Sequence, residues 1–172
     1  MTSMSKSLLA DAFGHHVWAT IRLIEACEGL SEEQLRTSVP GTYGSIIDTM
    51  RHVVGADAGY LSLLSGGAVA EIEEAGTDLA ELRAAMDRNG EGWTALLAQE
   101  LDPEREVVRR RDDGSQSAAP LGVRLAQAVH HGTDHRSQIC TALTTLEIEP
   151  PEIDVWAWAW AEGRLWETEP SA

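Results

Sequence analysis

Four long amphipathic segments, each followed by a helix breaker, constrain the fold of this 172-residue chain most strongly. Within each segment apolar residues recur at steps of three and four, the spacing of one face of an α-helix. The segments cover residues 5–28, 45–64, 78–101 and 121–146, and the breakers are Gly29, Ser65-Gly66-Gly67, Asp102-Pro103 and Pro150-Pro151. No parallel-sheet pattern accompanies them. We therefore expect an all-α, antiparallel four-helix bundle formed by one domain over residues 1–172.

Three shorter elements are expected beside the long helices. Ser31-Glu32-Glu33-Gln34 resembles a capping box and predicts a short helical turn. The pair Val107-Val108, followed by Asp113-Gly114, predicts a small hairpin between the third and fourth long helices. Near the end, alanines separate Trp156, Trp158 and Trp160. We interpret this segment as a short helix capped by Asp154, with a strand as the alternative, and its tryptophans suit either a dimer interface or burial.

Composition excludes several classes of partner. Acidic residues number 28 against 13 basic ones, and the formal net charge of −15 disfavours nucleic-acid binding. Cys27 and Cys140 are too few and too far apart for a disulfide framework, so we expect reduced thiols in the core. No apolar run approaches the ~20 residues of a membrane span, and no signal-peptide layout begins the chain. We expect a cytoplasmic protein without membrane contact.

The fourth long segment carries the clearest chemical motif, His-His-Gly-Thr-Asp-His-Arg-Ser-Gln, over residues 130–138. On a helix, the four-residue spacing places His131 and His135 on one face. Two imidazoles held in this way can bind a divalent transition metal when a third ligand joins them, and His52 is the candidate. The rival interpretation is a pair of histidines bonded to carboxylates. Gly132 stands where His-Glu-x-x-His metalloproteases have a general-base Glu, so peptide hydrolysis is not expected.

Other polar residues near these histidines are candidates for supporting roles. His16 is either an acid/base group lining the pocket or a core histidine. Gln138, one turn beyond His135, is within reach of the pocket and is, with His16, a candidate catalytic residue. His130 points about 100° round the helix from its neighbour, and Arg136 is expected to pair with a carboxylate on another helix. Ligating histidines usually donate their second N–H to an oxygen acceptor, for which the candidates are Asp48, Asp57 and Asp134.

The motif and its surroundings resemble the DinB-like superfamily of metal-binding four-helix proteins, over nearly the whole chain. The most specific element is His-x-x-x-His-Arg-x-Gln on the last long helix, paired with one His on the second. Ser137 follows the Arg where glycine is frequent in the family. The other matching stretches are Trp18, Gly44-Ser45-Ile46, residues 52–56 and residues 149–154.

The resemblance implies a divalent metal, most often zinc or nickel, bound by His52, His131 and His135. Members with assigned activity include transferases and isomerases that use mycothiol, bacillithiol or glutathione. We therefore expect a homodimer whose metal activates a thiol or water toward a small electrophilic substrate, as a thiol S-transferase, isomerase or small-molecule hydrolase. Arg109 or Arg111 would offset the acidic surface for an anionic thiol. The alternatives are a non-catalytic, metal-binding dimeric stress protein and a metal-free scaffold.

Overall fold

The computed structural model describes residues 8–168. Over that range the elements are α1 (Leu8–Cys27), α2 (Glu32–Leu35), α3 (Ile46–Leu64), α4 (Leu79–Leu97), β1 (Glu106–Arg110), β2 (Gln116–Pro120), α5 (Leu121–Thr145) and α6 (Val155–Ala161). The predicted, mostly helical class is confirmed. The predicted start of the first helix, at residue 5, lies outside the described residues. The third long helix ends at Leu97 rather than at residue 101, and Leu101 packs on the core from the turn that follows.

Side-chain caps set the starts of several helices. Ser31 and Gln34 form the predicted capping box of α2, and Asp78 forms a second one with Glu81 at the start of α4. The carboxylate of Asp154 accepts the backbone N–H three residues further on at 2.8 Å, which confirms the predicted cap of α6. Such bonds satisfy N–H groups that have no partner within the helix, and each contributes about 1 kcal/mol.

The four long helices contact one another in a closed ring, in which α1 packs on α4 and α5, and α3 also packs on α4 and α5. Two clusters of apolar side chains fill the interior. One includes Leu23 and Met50, and the other includes Phe13 and Trp93. The neighbouring positions of α3 and α5 bring two distant parts of the sequence together, and these two helices carry the predicted metal ligands.

The inward face of α1 is partly polar. Phe13 and Ile24 are buried as the apolar pattern predicts, whereas Leu9 is 40% exposed. His16 and Thr20 are fully enclosed instead, with 1% and 0% of their surface exposed. Buried polar groups in native proteins are hydrogen-bonded. The hydrogen bonds of these two residues therefore help to fix the position of α1 in the fold.

The predicted hairpin is present between α4 and α5. Its strands β1 and β2 pair antiparallel, with Val108 opposite Ala118. In the turn, Gly114 has a φ of +83°, which glycine adopts without the steric cost of a Cβ atom. The arginines Arg109 and Arg111 are exposed on this hairpin.

The tryptophan-rich segment is a helix, so the strand alternative is wrong. Trp158 is 7% exposed and lies against Gly14 of α1, where an added Cβ would come within 3.1 Å of the indole. Trp156 and Trp160 lie on the other side of α6 and are 69% and 61% exposed. One tryptophan thus attaches α6 to α1, and two face solvent.

Both cysteines are free thiols, Cys27 buried and Cys140 half-buried. Burial raises the pKa of Cys27 to about 12, with a smaller contribution from Cys140. A protonated thiol is a poor nucleophile, so Cys27 acts as an apolar core side chain. None of the helices between residues 8 and 168 is long and apolar enough to cross a membrane.

Candidate metal centre

Three half-buried imidazoles meet between α3 and α5. His52 comes from α3, and His131 and His135 come from successive turns of α5. One potential ligand atom from each ring lies within 4.8 Å of those of the other two. The Nε2 atoms of His52 and His131 are 3.1 Å apart. The structure therefore brings together all three histidines that the sequence singled out.

Gln138 determines which nitrogen of His135 carries the proton. The backbone N–H of Tyr43 donates to Oε1 of Gln138 at 2.8 Å, and this identifies Oε1 as the amide oxygen, since an N–H can only donate. The same oxygen lies 3.1 Å from Nδ1 of His135 and accepts its proton. Nε2 of His135 consequently keeps its lone pair available for a metal. Gln138 thus reaches the site by contacting one of its histidines.

A carboxylate contacts His52 from the acidic loop between α3 and α4. Oε2 of Glu74 lies 3.5 Å from Nδ1 of His52, an arrangement that favours a proton on Nδ1 and a lone pair on Nε2. The Glu74 side chain crosses Gly55, where an added Cβ would come within 2.5 Å of its Cγ. Sequence reasoning missed Glu74, because a loop with several acidic residues has no periodicity that selects one. The only local signal is Gly55, three residues after the ligand.

The three aspartates expected to support the ligands lie elsewhere. Asp48 is exposed and accepts a hydrogen bond from Ser45 Oγ at the start of α3, and Asp134 is exposed on α5. Asp57 is buried and accepts a hydrogen bond from His16. Closeness in sequence did not predict contact, because neighbouring positions of a helix point in different directions. His130 is likewise exposed.

The electrostatics of the site leave its imidazoles available as neutral ligands. Burial, together with the neighbouring His135 and His52, lowers the pKa of His131 to about 4. The ring is then neutral near neutral pH, so a metal need not displace a proton from it. Two nitrogen lone pairs facing each other at 3.1 Å repel unless a proton or a cation lies between them. Tetrahedral zinc, with Zn–N bonds of about 2.0–2.1 Å, would hold two nitrogens about 3.3 Å apart. The donor set therefore fits a divalent transition metal.

Two tyrosines border the imidazoles. Tyr43 stacks on His52, with ring centroids 4.1 Å apart and 8° between the ring planes, and its ring meets His135 edge-on at 5.3 Å. Tyr60 contacts His131 with 5.9 Å between centroids. Since Tyr43 is 54% exposed, it forms the solvent edge of the site. These contacts, which sequence reasoning missed, restrict the rotation of the imidazole rings.

His16, the candidate acid/base residue, lies in the interior and is 1% exposed. Both of its ring nitrogens are engaged, one by Asp57 at 2.9 Å and the other by Arg136 at 3.0 Å. Arg136 was expected to pair directly with a carboxylate. Its guanidinium instead donates to His16 and Thr20, and Asp57 lies on the other side of the His16 ring.

Two surface cavities of the described chain lie away from the three histidines. A groove of about 510 Å³ is lined by Trp18, Trp156 and Trp160, among others. A second cavity of about 370 Å³ includes Leu64 and Arg105 in its wall. The imidazoles line neither of these cavities. The exposed Tyr43, stacked on His52, marks the side on which the candidate metal site meets solvent.

Comparison with known proteins agrees with the geometry. Residues 4–170 match the model of the DinB family, and this range includes the three histidines, the hairpin and the tryptophan-rich helix. A comparison with curated proteins finds no match. Because the family match covers nearly the whole chain, the chain belongs to the DinB family.

Proposed function

We propose that this protein binds a divalent transition metal, zinc or nickel, through His52, His131 and His135, and acts as a metal-dependent enzyme on a small electrophilic substrate. The convergence of the three imidazoles carries the proposal. Support comes from Gln138 and Glu74, which direct the Nε2 atoms of two of them toward the shared space. In the same proposal, the four long helices form an antiparallel bundle, the usual scaffold for such sites.

A divalent metal held by three protein ligands supplies Lewis acidity and lowers the pKa of a thiol or water at an open coordination position. The proposed reaction class is thiol S-transfer or isomerisation with a low-molecular-weight thiol. The alternative class is hydrolysis of a small molecule, in which water takes the place of the thiol. The residues of this chain orient the three imidazole rings and border the path by which a reactant would reach them. The carboxylate of Glu74 contacts His52, and the chain has a net charge of −15. Because these negative charges repel anions, the site favours reactants, including thiols, with little negative charge. Arg111 donates to Ser115 within its own turn rather than to the site.

A non-catalytic, metal-binding dimeric stress protein is the second candidate. The observation that favours it is the aromatic border of the site, because Tyr43 covers one face of the His52 ring with 4.1 Å between centroids and Tyr60 contacts His131. The exposed Trp156 and Trp160 support the proposed homodimer, because aromatic residues are enriched at interfaces. Sedimentation equilibrium of the wild type beside the variant Trp156→Ala/Trp160→Ala tests the dimer.

Metal analysis by plasma mass spectrometry tests the metal site. Untagged protein purified without added metal is compared with the double variant His131→Ala/His135→Ala and with the control His130→Ala, whose side chain is exposed beside the site. Near-stoichiometric zinc or nickel is expected in the wild type and the control, with loss in the double variant. Equal metal in all three proteins would refute the ligand assignment.

A thiol-conjugation assay then separates the two candidate functions. Metal-loaded protein is mixed with glutathione, mycothiol or bacillithiol and a chromogenic electrophile. Turnover that disappears in His135→Ala together with the metal supports the enzyme. Loaded protein that turns over none of these mixtures supports the non-catalytic candidate.

A further inference from the structure

A buried polar network links the four long helices. His16 and Thr20 belong to α1, Asp57 to α3, Trp93 to α4 and Arg136 to α5. Each is at most 2% exposed. Ionisable side chains are seldom buried so completely unless they are paired. We therefore asked which parts of the fold these buried hydrogen bonds hold in place.

The hydrogen bonds allow only one protonation pattern for His16. NH1 of Arg136 donates to its Nδ1 at 3.0 Å, and because a guanidinium cannot accept, Nδ1 carries no proton. Nε2 therefore carries the proton and donates it to Oδ1 of Asp57 at 2.9 Å. Asp57 also accepts from Nε1 of Trp93 at 3.0 Å. Burial lowers the pKa of Arg136 to about 10, which still leaves it charged at neutral pH. A neutral imidazole thus bridges a cation and an anion.

The network ties α5 to α1 at the turn that carries the metal ligands. Arg136 follows His135 directly. Its NH1 group also lies 3.3 Å from the carbonyl oxygen of His16 and 3.1 Å from Oγ1 of Thr20, so its two protons are shared among three acceptors. Between the two ligands of this helix, Gly132 faces the His16 ring so closely that a Cβ would lie 2.3 Å from Cε1. Rotation of α5 at this level would break several buried hydrogen bonds to a charged group, which are costly to lose.

The same imidazole also holds α3. Asp57 lies five residues after His52 on that helix, and its carboxylate accepts the Nε2 proton of His16. Both helices that supply ligands are therefore fixed to one side chain of α1, close to the level of the ligands.

We propose that the Asp57–His16–Arg136 network positions the metal ligands by setting the rotation of α5 relative to α3, so that His131 and His135 converge on His52 before metal binds. This inference rests on the proposed metal binding at those histidines. His16 is then a positioning residue and transfers no proton to substrate. Metal affinity depends on the network beyond its contribution to folding.

Variants of His16 test this inference through the dissociation constant for Zn²⁺, measured by competition with a chromophoric chelator. His16→Ala is expected to raise this constant about 10–100-fold, as loss of supporting interactions does at metal sites. His16→Gln should stay within about threefold of wild type, because the amide can donate to Asp57 and accept from Arg136. Rescue by glutamine distinguishes positioning from bulk packing.

Leu143→Ala is the matched control for general destabilisation. Leu143 is fully buried on the same helix, about 12 Å beyond His135 along its axis. The substitution should lower the urea midpoint of the metal-free protein yet leave the Zn²⁺ dissociation constant within about twofold, since distant sites act independently. The visible spectrum of the Co²⁺-loaded proteins reports coordination geometry, and it should change in His16→Ala alone.

Thr20 provides a milder pair in case His16→Ala does not fold. Thr20→Val removes one acceptor of Arg136, whereas Thr20→Ser keeps it, so only the first should weaken Zn²⁺ binding severalfold. Wild-type affinity in both His16→Ala and Thr20→Val, or in Thr20→Val alone where His16→Ala is unfolded, overturns the positioning role and leaves the metal site intact. Absence of Zn²⁺ binding by the wild type overturns both proposals.

Discussion

At the scale of single residues, the imidazoles are oriented by groups on their far sides. Glu74 contacts Nδ1 of His52, and Gln138 accepts the Nδ1 proton of His135. Such interactions set the tautomer and direction of metal-binding histidines in general. Gly55 belongs to the same arrangement, because the Glu74 side chain occupies the space that a larger residue would need.

Glu74→Gln should weaken Zn²⁺ binding about tenfold, because the amide keeps the shape of the carboxylate and loses its charge. Gly55→Ala should act in the same direction by displacing Glu74, although alanine in a helix interior favours folding by up to about 1 kcal/mol. Chelator competition measures affinity, and urea unfolding measures stability. Glu71→Gln, an exposed change in the same loop, is the control. Wild-type affinity in Glu74→Gln would show that the carboxylate does not support the ligand.

His131 should give the metal-free protein a characteristic pH dependence. Its pKa is about 4 in the folded chain and 6.5 without the influence of the fold. Between these values the unfolded chain binds the proton and the folded chain does not, so stability falls as pH is lowered through this window. Urea unfolding at acidic and neutral pH should show a larger loss for the wild type than for His131→Asn. Equal losses of stability in the wild type and in His131→Asn would place the pKa of His131 near its ordinary value.

At the scale of elements, α5 contacts two neighbouring helices, α3 and α1, through two adjacent rows of residues, here called stripes. His131 and His135 form one stripe, which meets His52 of α3. Gly132 and Arg136, each one residue further, form a second stripe that meets His16 of α1. Consecutive residues of a helix differ by about 100° in direction. Because of this difference, one stripe of α5 faces the proposed metal site and the other anchors α5 to α1.

The tryptophans of α6 should differ sharply in their effect on stability. Trp158→Ala removes a buried side chain from the contact with α1 and should lower the free energy of unfolding by about 3 kcal/mol or more. Trp156→Ala changes an exposed side chain and should stay within about 0.5 kcal/mol of wild type. Urea unfolding followed by circular dichroism measures both. Similar losses in the two variants would show that α6 is not attached through Trp158.

At the scale of the whole molecule, the proposed metal site joins parts of the chain that are far apart in sequence. His52 and His131 are separated by 79 positions and supply facing Nε2 atoms. A ligand that binds only the folded chain stabilises it by mass action. The proposed metal thus also stabilises the contact of α3 with α5.

Removing the metal should therefore lower the melting temperature. At a free metal concentration 1,000 times the dissociation constant, the contribution to stability is about 4 kcal/mol. Calorimetric scans with chelator and with added Zn²⁺ measure the difference. The double variant His131→Ala/His135→Ala should melt at one temperature under both conditions, and a shift like that of the wild type would place the binding elsewhere.

The sequence by itself determined the helices, their caps, the hairpin turn and the pairing of His131 with His135. Each of these depends on interactions between residues a few positions apart, as in the capping boxes of α2 and α4 or the turn at Gly114. Helix geometry alone then places residues four apart on one face. The third histidine, His52, was a candidate from the sequence, but only the fold brings it beside the other two.

Only the tertiary structure decided what surrounds these residues. The contact of Glu74 with His52, the bond from Tyr43 to Gln138 and the burial of His16 between Asp57 and Arg136 all join segments distant in the chain. Loop paths and the rotation of one helix against another are set by packing over the whole core, which leaves no periodic signal in the sequence. For this reason the candidate ligands and Gln138 were predictable, whereas Glu74, Tyr43 and the partners of His16 were not.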